Sequence, residues 1–368
     1  MRHLLTRTLD RFIGRAASAV TVPPLDGAFR PNRALEEATV LADVAAPDNL
    51  AGNGDGAFFT LGNQVVRLGT EGAPPSPVAS FDAEITCLAM APDGAMVAGL
   101  ANGKLVIKGG RHDGLVVKTL EGRPLVCPTA LAFSSPDRLL LTQGSATNAP
   151  TAWQRDLMEG NASGSVWHLD LKSGAALCLA DGLAYPAGIS LREGGESALV
   201  TEGWRHRLLS LSTASRSAPS EVLADLPGYP SRLSPADGGG AWLCLFAPRS
   251  QLIEFVLREK VYRTRMMAEV PPEYWVAPAL LSNRSFLEPL QGGGVKQMGI
   301  LKPWAPTRSY GLVVRLDADS HPVTSYHSRA DGRRHGVTSA LEMAGRLIVT
   351  AKGGDVVLGI ALACGNEG

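Results

Sequence analysis

A stretch in the middle of the chain, residues 183–235, contains a structural unit that ends and then begins again. It runs LAYPAGIS, ALVTEGWRHRLLSL and LADLPGYPSRLSP, so that a Tyr-Pro pair opens a strand twice, at Tyr185 and at Tyr229. Short strands between Gly, Pro and Asp turns, restarting about every 40 residues, are typical of a β-propeller. Because the turns that open such strands face the central channel, we expect residues 185–187 and 229–232 to lie there.

Similar strand–turn–strand units occur along the rest of the chain. The first follows Asp48 (GAFFTLGNQVVRLG), the second contains Pro-Asp-Gly and Asn-Gly turns, and the sixth begins at YGLVVRLDADSHPVTSYH. The fifth is predicted to include AWLCLFAPRSQLIEFVL as strand. Each blade of a propeller packs only on its neighbours, so a long chain can form one domain. We predict an all-β, six-bladed propeller over residues 22–368, with seven blades as the alternative.

Three segments do not follow the repeat. Residues 1–21 place arginines between apolar residues at helical spacing, which predicts an amphipathic helix. This helix would pack on the propeller or form a homodimer with a second copy, and peripheral membrane contact is the less favoured alternative. Residues 148–163 and 259–304 are inserts, the second partly helical. Inserts in propellers lie on one face, so we expect both to form a cap over the channel.

The composition excludes several classes of protein. Lys+Arg and Asp+Glu are both 35, and no basic run is present, so nothing indicates a nucleic-acid partner. The five cysteines are widely spaced, mostly within apolar strands, and favour buried reduced thiols in a reducing compartment. No uninterrupted apolar segment suggests a secretory signal. We therefore predict a cytoplasmic protein. Zinc-type Cys/His spacing and a GxSxG nucleophile motif are both absent from the sequence.

Several segments, in order, resemble one known family. They are PPLDGAFRPNRALEEATVLAD, LADGLAYPAGISLREGGESALVTEGWRHRLLSL, LPGYPSRLSPADGGGAWLCL and GVTSALEMAGRLIVTA. Together they resemble the strictosidine-synthase-like propellers of the gluconolactonase and paraoxonase superfamily, over residues 22–362. The resemblance implies a small-molecule site in the central channel. It does not fix the reaction, because the superfamily includes hydrolases, a condensing enzyme that forms a C–C bond, and proteins without known activity.

The hydrolytic members of this family hold a calcium-type ion on the axis, and the resemblance identifies the corresponding positions here. Asp48 stands at the first-blade carboxylate, and Gln143 lies near a second ligand position. Ala187 replaces an Asn, while Ser231 and Arg232 replace Asp-Asn. A hard dication needs several oxygen ligands with enough carboxylate charge. We therefore expect no cofactor, and calcium at Asp48 is the weaker alternative.

Arg232 is the most informative of these substitutions. If it points inward, its guanidinium replaces the dication on the axis and pairs with Asp48. It would then bind a substrate carboxylate or stabilise an oxyanion. The alternative is an inter-blade salt bridge outside the channel.

The condensing enzyme carries a glutamate at the start of its last blade, with a histidine two residues before it. Thr338 stands at this place here, and Glu342 lies four residues further on, so the condensing activity is not carried over. His335 either faces the channel mouth or lies in a solvated loop beside arginines.

The remaining candidates are aromatic or polar residues near the predicted channel. We predict the catalytic residues to be Asp48, Arg232, His335 and Tyr185. We predict the substrate-binding residues to be Gln143, Trp153, Trp204, Tyr229, Ser231 and Thr338. Each aromatic residue could instead serve packing alone.

Three functions remain open from the sequence. The favoured one is hydrolysis of an ester, lactone or related bond of a small molecule in the channel. The second is formation or cleavage of a C–C or C–N bond on an amine or carbonyl substrate. The third is binding of a small molecule without catalysis.

Overall fold

The computed structural model describes residues 22–70, 73–91, 93–282, 284–289, 296–297, 300–301 and 307–362. The helix predicted for residues 1–21 lies outside these residues, as does Cys364. No helix in the described ranges is both long and apolar enough to cross a membrane.

Six four-stranded antiparallel sheets form the blades of a propeller, which confirms the predicted fold and blade number. Blade 1 consists of Asp48–Asn53, Gly56–Leu61, Gln64–Arg67 and Ser76–Ser80. Blade 2 consists of Ile85–Met90, Met96–Leu100, Lys104–Lys108 and Val116–Val117. Blade 3 consists of Pro128–Ser135, Arg138–Gln143, Gly164–Asp170 and Ala176–Leu183. Blade 4 consists of Pro186–Leu191, Ser197–Glu202, Arg207–Ser212 and Ser220–Leu223.

The last two blades are built from distant parts of the chain. Blade 5 consists of Gly228–Pro235, Ala241–Pro248, Leu312–Leu316 and Pro322–His327. Blade 6 consists of Val337–Met343, Arg346–Ala351, Val356–Ala361 and the early strand Thr39–Asp43. Residues 312–327 therefore complete blade 5, and their assignment to the sixth unit was wrong. The early strand pairs with Val356–Ala361 and closes the ring, an arrangement that leaves fewer exposed strand edges.

Within the described residues, four helices of at least one turn accompany the blades: Ala34–Glu37 (α1), Trp153–Glu159 (α2), Gln251–Arg258 (α3) and Lys260–Glu269 (α4). The prediction of strand for residues 251–257 was wrong. The Ser250 hydroxyl accepts a hydrogen bond from the amide of Ile253 and so caps α3. Ile253 and Val256 face inward with helical spacing. Two short ribbons pair Thr119–Leu120 with Arg123–Pro124, and Lys296–Gln297 with Ile300–Leu301.

Side-chain hydrogen bonds bridge every junction between neighbouring blades close to the axis. Around the ring, the bonds are Asn49 Nδ2 to Ile85 O, Thr86 Oγ1 to Pro128 O, Thr129 Oγ1 to Pro186 O, Thr201 Oγ1 to Ser231 O, Ser231 Oγ to Thr338 O, and Leu50 N to Ser339 Oγ. A buried hydroxyl without a partner would cost about 1–3 kcal/mol, so each bond fixes the position of the strand it reaches. The inner strands therefore present their first residues to the axis in a defined arrangement.

The packing between blades follows the alternation of buried side chains along their strands. One cluster joins blades 2 and 3 through Val97, Leu139, Leu141 and Trp167, all at most 1% exposed. Four free cysteines are also buried: Cys87, Cys127, Cys178 and Cys244. Burial raises the pKa of Cys87 and Cys127 to about 12, so these thiols stay protonated and unreactive at neutral pH.

Candidate active site

A cavity of about 320 Å³ lies on the axis, at the end of the channel where the inner strands begin. Its floor is polar and contains Asp48, Arg232 and Lys352, whereas one wall is aromatic. These groups meet because Asp48 opens the inner strand of blade 1 and Arg232 lies in that of blade 5. Lys352 directly follows the second strand of blade 6.

Asp48 lies at the centre of the floor and is only 6% exposed. Its Oδ1 accepts a hydrogen bond from Arg232 Nη1 at 2.7 Å, and its Oδ2 accepts one from Lys352 Nζ at 3.0 Å. Oδ1 also accepts the amide N–H of Asn49 at 2.8 Å. Both carboxylate oxygens are therefore neutralised by side-chain cations.

The protonation states in this cluster follow from burial and charge. Burial alone would raise the pKa of Asp48, but the positive charges of Arg232 and Lys352 outweigh burial and lower that pKa to about 2. The carboxylate of Asp48 in turn raises the pKa of Lys352. At neutral pH the cluster contains one carboxylate between two cations.

Arg232 spans the channel from blade 5 to blades 1 and 2. In addition to Asp48, it donates from Nη2 to the carbonyl oxygen of Thr86 at 2.7 Å. Its Nε has no hydrogen-bond partner among the described residues. Of the two orientations left open by the sequence, the structure has the inward one. Glu84 completes the charged group, with its Oε1 at 3.6 Å from Lys352 Nζ.

These residues do not fit a divalent cation. Two positive side chains already hold both oxygens of Asp48, Ala187 lines the cavity with a methyl group, and Gln143 is turned away from it. In the described ranges no three His, Cys, Asp or Glu side chains are grouped so that they could hold a metal ion. A calcium ion beside Arg232 would experience repulsion instead of coordination.

The aromatic wall consists of Trp153, Tyr185, Trp204 and Phe246. The rings of Tyr185 and Trp204 are stacked with centroids 4.4 Å apart, and Trp153 meets Phe246 edge-on at 5.3 Å. Trp204 donates from Nε1 to Oδ1 of Asp156, a residue of α2 that is 1% exposed. The insert 148–163 thus fixes the wall, which suits an aromatic or alicyclic group of a ligand.

Comparisons with known proteins agree with this architecture. Residues 130–211 match the family model described as strictosidine synthase. The chain is 27% identical over 335 residues to the adipocyte plasma membrane-associated protein of Danio rerio, covering 83% of this chain and 73% of that protein. It is 26% identical over 260 residues to the Salmo salar protein of the same name, covering 63% of this chain and 61% of that protein.

Two solved structures share the fold. One is a gluconolactonase from Xanthomonas campestris, with a TM-score of 0.56 at 13% identity, covering 93% of this chain and 95% of the other. The second is the calcium-binding protein regucalcin from Agrobacterium tumefaciens, with a TM-score of 0.52 at 13% identity, covering 94% and 96%. The chain is therefore similar to strictosidine synthase over residues 130–211 and shares the propeller fold of these two structures.

In this propeller, seven of the ten predicted site residues line the axial cavity: Asp48, Arg232, Tyr185, Trp153, Trp204, Ser231 and Thr338. Burial raises the pKa of Tyr185 well above its usual range, so its hydroxyl stays protonated. Ser231 uses its hydroxyl to bridge blades 5 and 6, so it also has a structural role. By the resemblance described above, Thr338 stands where the condensing enzyme has its glutamate. Glu342 does not replace that glutamate, because its carboxylate accepts a hydrogen bond from Trp242 Nε1 at 2.6 Å.

The other three predicted residues lie outside the cavity, and their placement in the channel was wrong. His335 is 1% exposed, and its ring bonds to Ser309 Oγ at 2.7 Å and the carbonyl of Arg329 at 2.6 Å. Gln143 is the last residue of its strand, and its Oε1 accepts a hydrogen bond from the amide of Val126 at 2.8 Å. Tyr229 lies behind the aromatic wall, fully buried, with its hydroxyl 3.3 Å from Glu254.

Sequence reasoning missed Lys352, Glu84 and Thr86. Glu84 and Thr86 flank the first residue of the inner strand of blade 2, so they occupy positions comparable to those of Asp48 in blade 1. Both residues lie at the strand opening in the segment SFDAEITCL, which is a signal visible in the sequence. Lys352 follows a second strand, and only the register Ala351↔Val337 brings it to the axis.

Proposed function

We propose that this propeller hydrolyses small-molecule esters or lactones in the axial cavity without a metal ion. The observation that carries the proposal is the pair of cations, Arg232 and Lys352, beneath an aromatic wall. Fixed positive charge next to an apolar surface can hold a substrate and stabilise the oxyanion that forms when its carbonyl is attacked. The fold shared with a gluconolactonase supports the reaction class.

Glu84 is the proposed general base. It lines the cavity, and its side chain is 44% exposed beside Lys352, so water can reach it. Glu84 would take a proton from water, and the oxygen would add to the carbonyl carbon. The resulting oxyanion lies against Lys352 and Arg232. When the tetrahedral intermediate collapses, the C–O bond to the leaving alcohol breaks, and Glu84 returns the proton to that oxygen.

Asp48 has a different role in this mechanism. With a pKa of about 2, it remains ionised at neutral pH and has no proton to donate. It holds the two cations in place and is thus a positioning residue. Tyr185, which stays protonated, contributes a wall surface and a hydroxyl donor.

The test is a panel of lactones and aryl esters assayed with excess chelator. We expect turnover by the unmodified protein, and a kcat lower by about 100-fold in Glu84→Gln, because one general base typically contributes that much. Glu193→Gln changes an exposed glutamate in the same way and serves as the control. Absence of turnover throughout the panel, or an unchanged kcat in Glu84→Gln, would contradict the proposal.

A second candidate is binding without catalysis. The charged groups of the cavity pair with one another: Asp48 pairs with Arg232 and Lys352, and Lys352 also pairs with Glu84. This pairing favours binding without catalysis, because groups that already have partners are less available to a reacting substrate. Thermal stabilisation by ligands that are never turned over would support it. A C–C or C–N bond-forming activity is less favoured, since Thr338 replaces the glutamate; amine–aldehyde pairs in the panel test it.

We propose a cytoplasmic protein acting on a small molecule, on the basis of its buried free thiols. The name of the vertebrate relatives places those proteins at the plasma membrane. Fractionation of cells that express the full chain would distinguish the two locations.

A further inference from the structure

A second cavity, of about 530 Å³, adjoins the axial cavity. Three side chains line both cavities: Trp153, Leu280 and Lys352. The two cavities therefore meet at Lys352, one of the two cations proposed to stabilise the oxyanion. A ligand whose carbonyl lies at Lys352 would have space on both sides of the reacting bond.

The walls of the two cavities differ in chemistry. The axial cavity has the aromatic wall, whereas the second cavity combines apolar side chains, among them Leu280 and Leu281, with several charged groups and the amide of Gln154. Arg308, only 3% exposed, lies 3.7 Å from Glu288, and Arg284 lies 3.8 Å from Asp355. Gln154, on α2, donates to the carbonyl of Pro278 at 2.9 Å and links α2 to the 273–288 segment.

The balance of charge in the second cavity determines what it would bind. Each of its two guanidinium groups lies beside a carboxylate, so each pair has no net charge. Such a wall offers many hydrogen-bond donors and acceptors, and it would bind an uncharged polar chain without leaving a buried charge unpaired.

We propose that the substrate is an ester with two unlike parts. An aromatic or alicyclic group would occupy the axial cavity, and an uncharged, hydrogen-bonding chain such as an amide would occupy the second cavity. The ester carbonyl lies between them at Lys352. This inference rests on the proposed hydrolysis and narrows its substrate class.

Three phenyl esters test the inference with one leaving group: phenyl acetate, phenyl hexanoate and the phenyl ester of N-acetyl-β-alanine. The last two have acyl chains of equal length, and only one of them has an amide. We expect kcat/KM for the amide ester to exceed that for the acetate by about tenfold, as one or two added hydrogen bonds would give. The hexanoate should remain closer to the acetate.

Leu281 lines the second cavity, so Leu281→Trp would fill it. In this variant, kcat/KM for the amide ester should be about equal to kcat/KM for the acetate. Leu177→Trp, at a residue 40% exposed on blade 3, should keep the difference between the two esters. The matching anilides, which resist hydrolysis, report binding independently, and their dissociation constants should follow the same order. Turnover with equal kcat/KM for all three esters would overturn the two-part substrate but leave the proposed hydrolysis intact. Absence of turnover, together with equal dissociation constants for the three anilides, would overturn both the two-part substrate and the hydrolysis.

Discussion

Replacing Arg232 with methionine is expected to lower the free energy of unfolding by about 3–5 kcal/mol, because it leaves a buried carboxylate with half of its counter-charge. Asp48 would lose the 2.7 Å bond to Nη1, and the carbonyl of Thr86 would lose its bond to Nη2. The contact that ties blade 5 to blades 1 and 2 across the axis disappears with them. Urea unfolding followed by fluorescence measures the change.

The same variant should lose ester hydrolysis by about 100-fold in kcat, since one of two oxyanion-stabilising cations is removed. Methionine keeps the approximate length of the side chain without its charge. Arg216→Met is the matched control, because Arg216 is 57% exposed and pairs with Asp181 at the surface. Stability and kcat of Arg216→Met should match those of the unmodified protein. A fully stable and active Arg232→Met would show that the axial guanidinium has no such role.

Acidification below about pH 4 is expected to remove a second large contribution to stability. The pKa of Asp48 is about 2 in the folded protein, whereas an unfolded aspartate titrates near pH 3.9. A carboxyl group whose pKa is lower in the folded state than in the unfolded state stabilises the protein at pH values above the unfolded-state pKa. The contribution of Asp48 is therefore complete above about pH 4, and it is lost as the pH falls through about 2. This difference in pKa between the folded and unfolded states corresponds to about 2–3 kcal/mol of stability.

Asp48→Asn isolates this contribution. The variant should be less stable at neutral pH, since Arg232 would lose its carboxylate partner and Lys352 would keep only Glu84. Its stability should also depend less steeply on pH between about 4 and 2 than that of the unmodified protein. The measurement is the free energy of unfolding at a series of pH values. Parallel curves for the two proteins would mean that Asp48 is not the titrating group.

Local sequence features predicted most of the fold because propeller repeats are local. Turn residues and alternating apolar residues identify each hairpin, and blades 1–4 follow the chain in order. Blade 5 and the ring closure could not be predicted this way. In blade 5 the predicted insert 259–304 lies in the sequence between Ala241–Pro248 and Leu312–Leu316, and blade 6 takes its outer strand, Thr39–Asp43, from the other end of the chain.

The site was predictable where it depends on strand-opening positions. Asp48 and Thr338 lie at the start of inner strands, and Arg232 lies further along an inner strand that the Tyr-Pro pair opens. His335 was misplaced, because a histidine close to such a start can still turn outward when a neighbouring loop offers partners. Lys352 was missed because a cation after a second strand has no local sequence signal.

Ala187, Ser231 and Arg232 differ from the ligand residues of the hydrolytic family members, and a replacement of the metal ion by side-chain cations would explain these differences. The expected ligand oxygens are missing from the axis, and the charge of a dication is supplied instead by two side chains that bond to the same carboxylate. We therefore propose that Arg232 and Lys352 occupy the place of a metal ion.

Calcium titration of the unmodified protein and of the double variant Arg232→Asn/Lys352→Met tests that claim most directly. The double variant removes both cations and offers an amide oxygen beside Asp48 and Glu84. Isothermal titration should detect one calcium ion bound by the double variant, with a dissociation constant of about 10⁻⁵–10⁻³ M, and a Tm that rises with calcium. For the unmodified protein, we expect no binding heat and the same Tm in calcium and in chelator. Binding of one calcium ion to the unmodified protein, with a raised Tm, would contradict it.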